Sequence, residues 1–571
     1  MKVIFKIVFV SVVLLLAAGS GVRASGTSFF VDQGFDQFSR TNITATLRID
    51  GQNAQFYVED RHWDLLSGAD RASALSALDD LSSSFDNQIY PSLTAVLGSE
   101  WNPGIDGNPK ITILLTDLKN GFGGYFRDDD EYLKTAVSSS NEREMFYINT
   151  DFIGFSRHLK AFAAHEFQHL INFNQKDRLR NVKEKLWLNE LASEVAPTLA
   201  GLNKPYSGSN LQSRVNVFLD NASDALTRWS GNSEDYGIVS VFGHYLLDHY
   251  GSGFFTSVEQ SPQTGFKAIN GVIEATGKSE TFSEVFRDWV VAVLLNDCDV
   301  LPQNTFCYFD PDLGFNNLHI KFSGGTESGN SFTKFASTYP WQPEWYSYER
   351  DIQPKPADHI FTFTFINNSN SEFTVPYVVY PTNGLPQVYY MGIVNGKGKF
   401  YVENFGYEVS KVVVMPVNMG VDDNFLSSFT MTAETGTTIP TDTTESTAAA
   451  SFTPLPEGSL VRAYADEKVY IIKNPSTGSG QAYKRWVQRP EIIDMYGHLR
   501  WEDVIVVPKE QLDAYQEAGV VRLFGDPRVY GVNSAGQKRW IQTEAEFLSL
   551  GYKFDMVYII NDSEFNFYPT I

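Results

Sequence analysis

Between Thr44 and Val58 (TATLRIDGQNAQFYV) apolar and polar positions alternate around an Asp50-Gly51 turn, which predicts a β-hairpin. The period then lengthens. Leu75, Leu78, Leu81 and Phe85 recur at helical spacing within Asp70–Tyr90, and Pro91 is the expected stop. Ile111–Leu115 and Glu144–Asn149 are short apolar runs that read as strands. Between them lies a loop with Gly121, Gly123 and Gly124 and the acidic run Asp128–Glu131. Helical spacing then returns over Arg157–Asn174, Lys185–Leu199 (with a stop expected near Pro197 and Gly201), Tyr236–Tyr250 and Phe282–Leu295. Strands first and helices afterwards predict an α+β domain over residues 25–335.

From His359 the pattern changes to short β runs such as FTFTFIN, FTVPYVVYP and KVVVMPVN, separated by Asn, Gly and Pro turns. They predict an antiparallel β-sandwich over 340–436. A Thr/Ser/Pro linker follows over 437–456, with almost nothing to build a core. The tail repeats itself. Val461-Arg462, Val469-Tyr470, Lys484-Arg485-Trp486 and Gly497 are matched by Val521-Arg522, Val529-Tyr530, Lys538-Arg539-Trp540 and Gly551, giving two small β-rich units, 457–515 and 516–571. The plainest reading of their tryptophans is that they fill these small cores.

Composition narrows the function. The 571 residues hold 68 acidic against 45 basic side chains, a net charge of −23, which disfavours nucleic acid as a partner. Lys2 and Lys6, the apolar run Ile7–Ala18 and Val22-Arg23-Ala24 predict a signal peptide over 1–24 and a secreted, extracellular protein. No later stretch is long enough to span a membrane, so no span is expected after cleavage. The two cysteines, Cys298 and Cys307, lie close together in a chain destined for an oxidising compartment, and a short-loop disulfide is expected.

His165-Glu166-Phe167-Gln168-His169 is an HExxH motif on a predicted helix. Residues four apart share a face, so both imidazoles can reach one zinc ion, with Glu166 beside them to take a proton from water. A hydrolytic zinc site with two histidines needs one more anionic ligand, and Glu190, in Trp187-Leu188-Asn189-Glu190, is placed to supply it. Glu194, one turn on, is a candidate partner for a ligand imidazole, though a solvated helix carboxylate is its plain alternative. Peptide hydrolysis also needs a donor for the oxyanion; Tyr236 is the first candidate and His244 the second. Gly121–Phe126 (GFGGYF) could present backbone to an extended substrate. Asp128–Glu131 lacks the spacing of a calcium loop, so Ca2+ stays a bare possibility and a solvated acidic turn the expectation.

HEFQHLINF followed by WLNE resembles the glutamate-type zincins, or gluzincins, and within them the hyicolysin-type secreted bacterial peptidases. The resemblance covers about residues 110–310. It implies a zincin-like catalytic domain cleaving peptide bonds of protein substrates, with His165, His169 and Glu190 as zinc ligands and Glu166 as general base. One departure is Leu191, where glycine commonly follows the ligand glutamate in such proteins. The alternative is a cell-surface or cell-wall binding protein in which the sandwich and tail bind the ligand and the zinc site is structural or vestigial.

Overall fold

The structure is a computed structural model. It describes residues 26–276, 280–300, 304–315, 318, 320, 322, 326–327, 331–420, 425–439, 455–463, 468–473, 482–507, 512 and 515–571. The signal segment 1–24 and residues 440–454 of the expected linker lie outside them. The chain is multidomain, with mixed helix and sheet. It forms two compact units: one reaches Lys183 and includes Ala196–Asn203 and Glu259–Pro262; the other holds Glu184–Val195, Lys204–Val258 and Gln263–Ile571. No described helix is long and apolar enough to cross a membrane.

The first unit is built on a six-stranded mixed sheet ordered β1-β2-β3-β4-β6-β5: β1 (Thr27–Phe30), β2 (Asn42–Asp50), β3 (Ala54–Glu59), β4 (Ile111–Thr116), β5 (Gly124–Phe126) and β6 (Met145–Asn149). The hairpin predicted around Gly51 is the β2–β3 pair, and Asp86 accepts from the turn amides of Gln52 and Asn53 at 2.8 and 2.7 Å. Strands β3, β4 and β6 run parallel and are almost wholly buried, while β5 returns antiparallel along β6 and ends the sheet.

Helix α1 (Asp60–Leu65) leads to α2 (Gly68–Ser84), capped by the Ser67 side chain. Pro91 does not stop the helix that follows. A π-helical turn over Phe85–Ile89 carries the chain into α3 (Tyr90–Leu97), and Pro91 sits in its first turn, where no amide hydrogen is required. Helix α4 (Ser156–Asn172) buries Leu159, Ala163, Phe167, Leu170 and Ile171. The Phe167 ring lies 5.2 Å from Phe85 and 5.4 Å from Tyr90. Full burial of such a ring stabilises the packing by about 1.5–3 kcal/mol. That contact fixes the inner face of α4, and so the direction its other face points.

Helix α5 (Leu186–Leu199) follows the expected span, with Pro197 inside it, and the chain turns at Gly201, whose φ is 72°. Helices α6 (Asn210–Asp220), α7 (Ser233–Tyr250), α8 (Ser252–Glu259), α9 (Gly265–Ala275) and α10 (Phe282–Leu295) follow. Helices α7 and α10 follow the helical spacing in Tyr236–Tyr250 and Phe282–Leu295, whereas α6, α8 and α9 answer to no expected element. The start of α7 is fixed by a capping box between Asn232 and Asp235, three residues ahead of the first residue predicted for it. After α10, Cys298 and Cys307 are joined, with 5.1 Å between their Cα atoms.

In the second unit two sheets share one core. One is four-stranded, β14-β10-β17-β8, from Lys397–Val402, Ile360–Asn367, Ser427–Gly436 and Ser331–Thr338; the other is five-stranded, β13-β12-β15-β9-β7, from Gln387–Tyr390, Pro376–Pro381, Val409–Val414, Tyr346–Glu349 and Thr326–Glu327. Phe361, Phe363 and Phe365 of the first meet Tyr377, Val412 and Val414 of the second in that core. Ser331–Thr338 is hydrogen-bonded to Ser427–Gly436, so the sheet begins before His359.

The tail holds a five-stranded and a four-stranded sheet, and one apolar cluster takes residues from both: Ile471 and Tyr483 from the first, Tyr530 and Tyr558 from the second. Its tryptophans take no part in that cluster, although Trp486 packs against a second one with Val461 and Tyr470. Trp540 is 43% exposed and Trp486 is half-buried. The lysines are inside instead. Lys484 Nζ donates to the Leu512 carbonyl at 2.6 Å, and Lys538 Nζ donates to the carbonyls of Phe565 and Tyr568 at 2.6 and 2.7 Å. Arg485 pairs with the buried Glu564, which also accepts from Tyr568 at 2.7 Å.

Candidate metal centre

Helix α4 is held from behind by a buried carboxylate. Glu259 accepts from Gln168 Nε2 at 2.5 Å and from Asn172 Nδ2 at 2.8 Å. With Phe167 pinned as well, the face that carries His165 and His169 has little freedom to rotate. Their ring centroids are 5.0 Å apart, and both residues are buried. His165, His169 and Glu190 each offer one ligand atom, and the three atoms lie within 4.8 Å of one another. Two imidazole nitrogens and a carboxylate oxygen are the donor set that zinc accepts while keeping a position open for water, so the residues fit that ion. Among the described residues this is the group of histidine, cysteine and acidic side chains gathered closely enough to hold a metal.

Glu166 is buried, and strand β5 passes directly against it. A Cβ built on Gly124 would stand 2.9 Å from both Cγ and Oε1 of Glu166, and 2.6 Å from the Tyr147 carbonyl. A Cβ on Gly123 would stand 2.5 Å from the Phe162 ring. Gly123 and Gly124 thus let a backbone lie on the HExxH helix. The outer edge of β5 has no strand partner among the described residues.

Glu194 is not a solvated helix carboxylate: Arg214 on α6 grips both of its oxygens, with Nε at 3.1 and 3.0 Å and Nη2 at 2.8 Å. The same guanidinium lies 4.5 Å over the ring of Tyr236, which meets Trp229 edge to face at 4.9 Å. Burial works to lower the Arg214 pKa, but the charge of Glu194, with smaller help from Tyr236 and Glu190, raises it above the ordinary arginine value. Arg214 was passed over in the sequence, although Leu211, Val215 and Phe218 at helical spacing, with Ser209 as cap, mark its helix.

The second oxyanion candidate lies further along the same helix as Tyr236. His244 is buried inside α7, where its Nδ1–H donates to the Ser240 carbonyl at 2.7 Å and burial pushes its pKa down to about 4. The acidic run is also unlike its expectation. Asp130 is buried against Arg127 at 3.0 Å and accepts from Tyr147 Oη at 2.7 Å, and burial pushes its carboxyl up to about 6. Glu131 is buried beside Glu144. Burial, then each carboxyl's acidic neighbours, raise both, Glu144 to about 7.

No family model matches the chain. Over 264 residues it is 28% identical to the neutral metalloprotease ShpI of Staphylococcus hyicus. That match takes in 41% of this chain and 55% of the other, so the chain spans about half the length of the curated relative it matches. Among solved structures, the pre-peptidase C-terminal domain of a Bacillus anthracis collagenase aligns with 20% of this chain and 97% of its own at 9% identity, with a TM-score of 0.16. PliG, a periplasmic lysozyme inhibitor of Aeromonas hydrophila, aligns with 19% of this chain and 95% of its own at 11% identity, with a TM-score of 0.13. Scores this low carry no argument about the fold. The informative likeness is the partial one to a metalloprotease.

Proposed function

We propose that the chain is a secreted, zinc-dependent peptidase of gluzincin type that hydrolyses peptide bonds of protein substrates. The gathering of His165, His169 and Glu190 within 4.8 Å carries this reading, and the partial likeness to a neutral metalloprotease supports it. Bound by those three side chains, zinc would supply a Lewis acid toward water and the scissile carbonyl. Glu166 takes the proton as water adds to the carbonyl carbon, then delivers it to the departing amine as the C–N bond breaks. Tyr236, steadied by Arg214 and Trp229, donates to the oxygen that gains charge. The unpaired edge of β5 receives the substrate backbone as an added strand.

The second reading, a surface-binding protein with a vestigial metal site, draws on the tail. The approach of Gly124 to Glu166 disfavours it, because a structural zinc needs no strand fitted to a neighbouring base. The test is metal analysis and casein hydrolysis, with and without chelator, beside Glu166→Gln. We expect one zinc per chain, loss of hydrolysis on chelation, and a Glu166→Gln protein that keeps zinc but loses about 10²–10⁴ in rate. Full activity in that variant, or a protein without zinc, overturns the peptidase. Equal retention on cell walls of the full chain and of a chain ending at residue 456 dismisses the tail as a tether.

A further inference from the structure

The face of α4 that carries the two histidines continues beyond them. His165, His169 and Phe173 are spaced four apart, so the Phe173 ring follows the imidazoles along the helix. It lies 6.3 Å from Phe126 and 5.8 Å from Tyr132, and Phe126 is itself 6.4 Å from His169. Past this row of rings opens a pocket of about 490 Å³, walled by Trp101, Ile105, Tyr132, Leu133, Ala136 and Phe173. The guanidinium of Arg178 covers the Trp101 ring at 4.0 Å on its rim. Glu131, also in the wall, is itself buried, and burial raises its carboxyl above the ordinary glutamate value.

Strand β5 leads to this pocket. Gly124 marks the level of Glu166, and Phe126, two residues on, marks the level of His169. A peptide added to the outer edge advances about 3.3 Å per residue. With its reacting carbonyl beside Glu166, its backbone passes Phe126 and brings a side chain to the pocket two or three residues away. Leu133 and Tyr132, 55% and 41% exposed, are large apolar groups left facing solvent, as in a pocket whose occupant comes and goes.

We propose that this pocket is a specificity subsite for one large apolar side chain, two or three residues from the bond cleaved. The inference rests on the peptidase reading. It is tested by profiling cleavage of a peptide library by the full-length protein, its Leu133→Asp and Ile105→Asp variants, and Leu133→Ala as the mildest change. The wild type selects a large apolar residue at that one position. The two aspartate variants lose about 10-fold or more in kcat/KM for such peptides, the range in which an apolar contact discriminates. They cleave peptides with a small residue there as before and bind the same amount of zinc. Chelator-sensitive cleavage with one and the same preference in wild type and variants overturns the subsite. Absence of chelator-sensitive cleavage in the wild type overturns the peptidase, and the subsite with it.

Discussion

Lys484 and Lys538 in the tail, and His165 and His169 on α4, are buried polar side chains carried by short sequence motifs. In the tail each buried cation is closed off where it stands: the lysines on backbone carbonyls, Arg485 on Glu564. On α4 the donor atoms are gathered instead, two imidazoles toward each other and toward one carboxylate. Burial of a polar group costs free energy in both places, and the way it is offset differs. Where the protein itself supplies the partners, the motif is scaffolding. Where several donors are turned on a common point, that point suits a bound ion. The tail motif caught the eye through its tryptophans, yet the residue it needs inside is lysine.

The largest effect that would sharpen this contrast is at Arg214. Arg214→Met removes the guanidinium that holds both oxygens of the buried Glu194 carboxylate and should cost about 3–5 kcal/mol in denaturant unfolding. Arg214→Lys should rescue little, because one ammonium cannot match a guanidinium bonded to both oxygens. An unfolding curve like the wild type in Arg214→Met would show that Glu194 is not held by this pair. Next comes Gly124→Ala. Its Cβ would displace the Glu166 carboxylate, so hydrolysis should fall by about 100-fold while zinc content stays level, the penalty expected of a misplaced catalytic group. Undiminished turnover would show that β5 does not set the position of Glu166.

Lys484→Met and Lys538→Met come third. Each leaves buried carbonyls without their donor, a loss of about 1–3 kcal/mol in tail stability, with hydrolysis unchanged. A drop in hydrolysis instead would join the tail to the chemistry and break the contrast. The smallest effect concerns pH. Glu144 is raised to about 7 in the folded protein from an ordinary value near 4.5, so its neutral form is favoured by folding. Its contribution is full below pH 4.5 and is lost as pH rises through 7. Melting temperature, followed from pH 5 to 8, should therefore fall less in Glu144→Gln than in the wild type; identical slopes would exclude this group as the cause.

Periodicity in the sequence located α4, α7 and α10, because each has a full apolar face and clear ends. It failed where local breakers were overruled by context. Pro91 reads as a stop, but it sits in the first turn of α3. The two histidines of HExxH and the later glutamate were legible as a candidate ligand set because metal chemistry restricts both residue type and spacing. Arg214 was not, since a lone arginine on a helix says nothing of its role until its carboxylate partner is known. The acidic run Asp128–Glu131 misled for the same reason. Four carboxylates in a row read as solvated, whereas Arg127, Tyr147 and Glu144 draw two of them inside.

The two sealed lysines of the tail give it a chemical clock. An acylating reagent reaches an amine only when the amine is exposed to solvent, so Lys484 and Lys538 should stay unmodified while surface lysines such as Lys183 react at once. The rate at which the two sealed positions take up label, read by mass spectrometry of digested fragments, then measures how often each half of the tail breathes open.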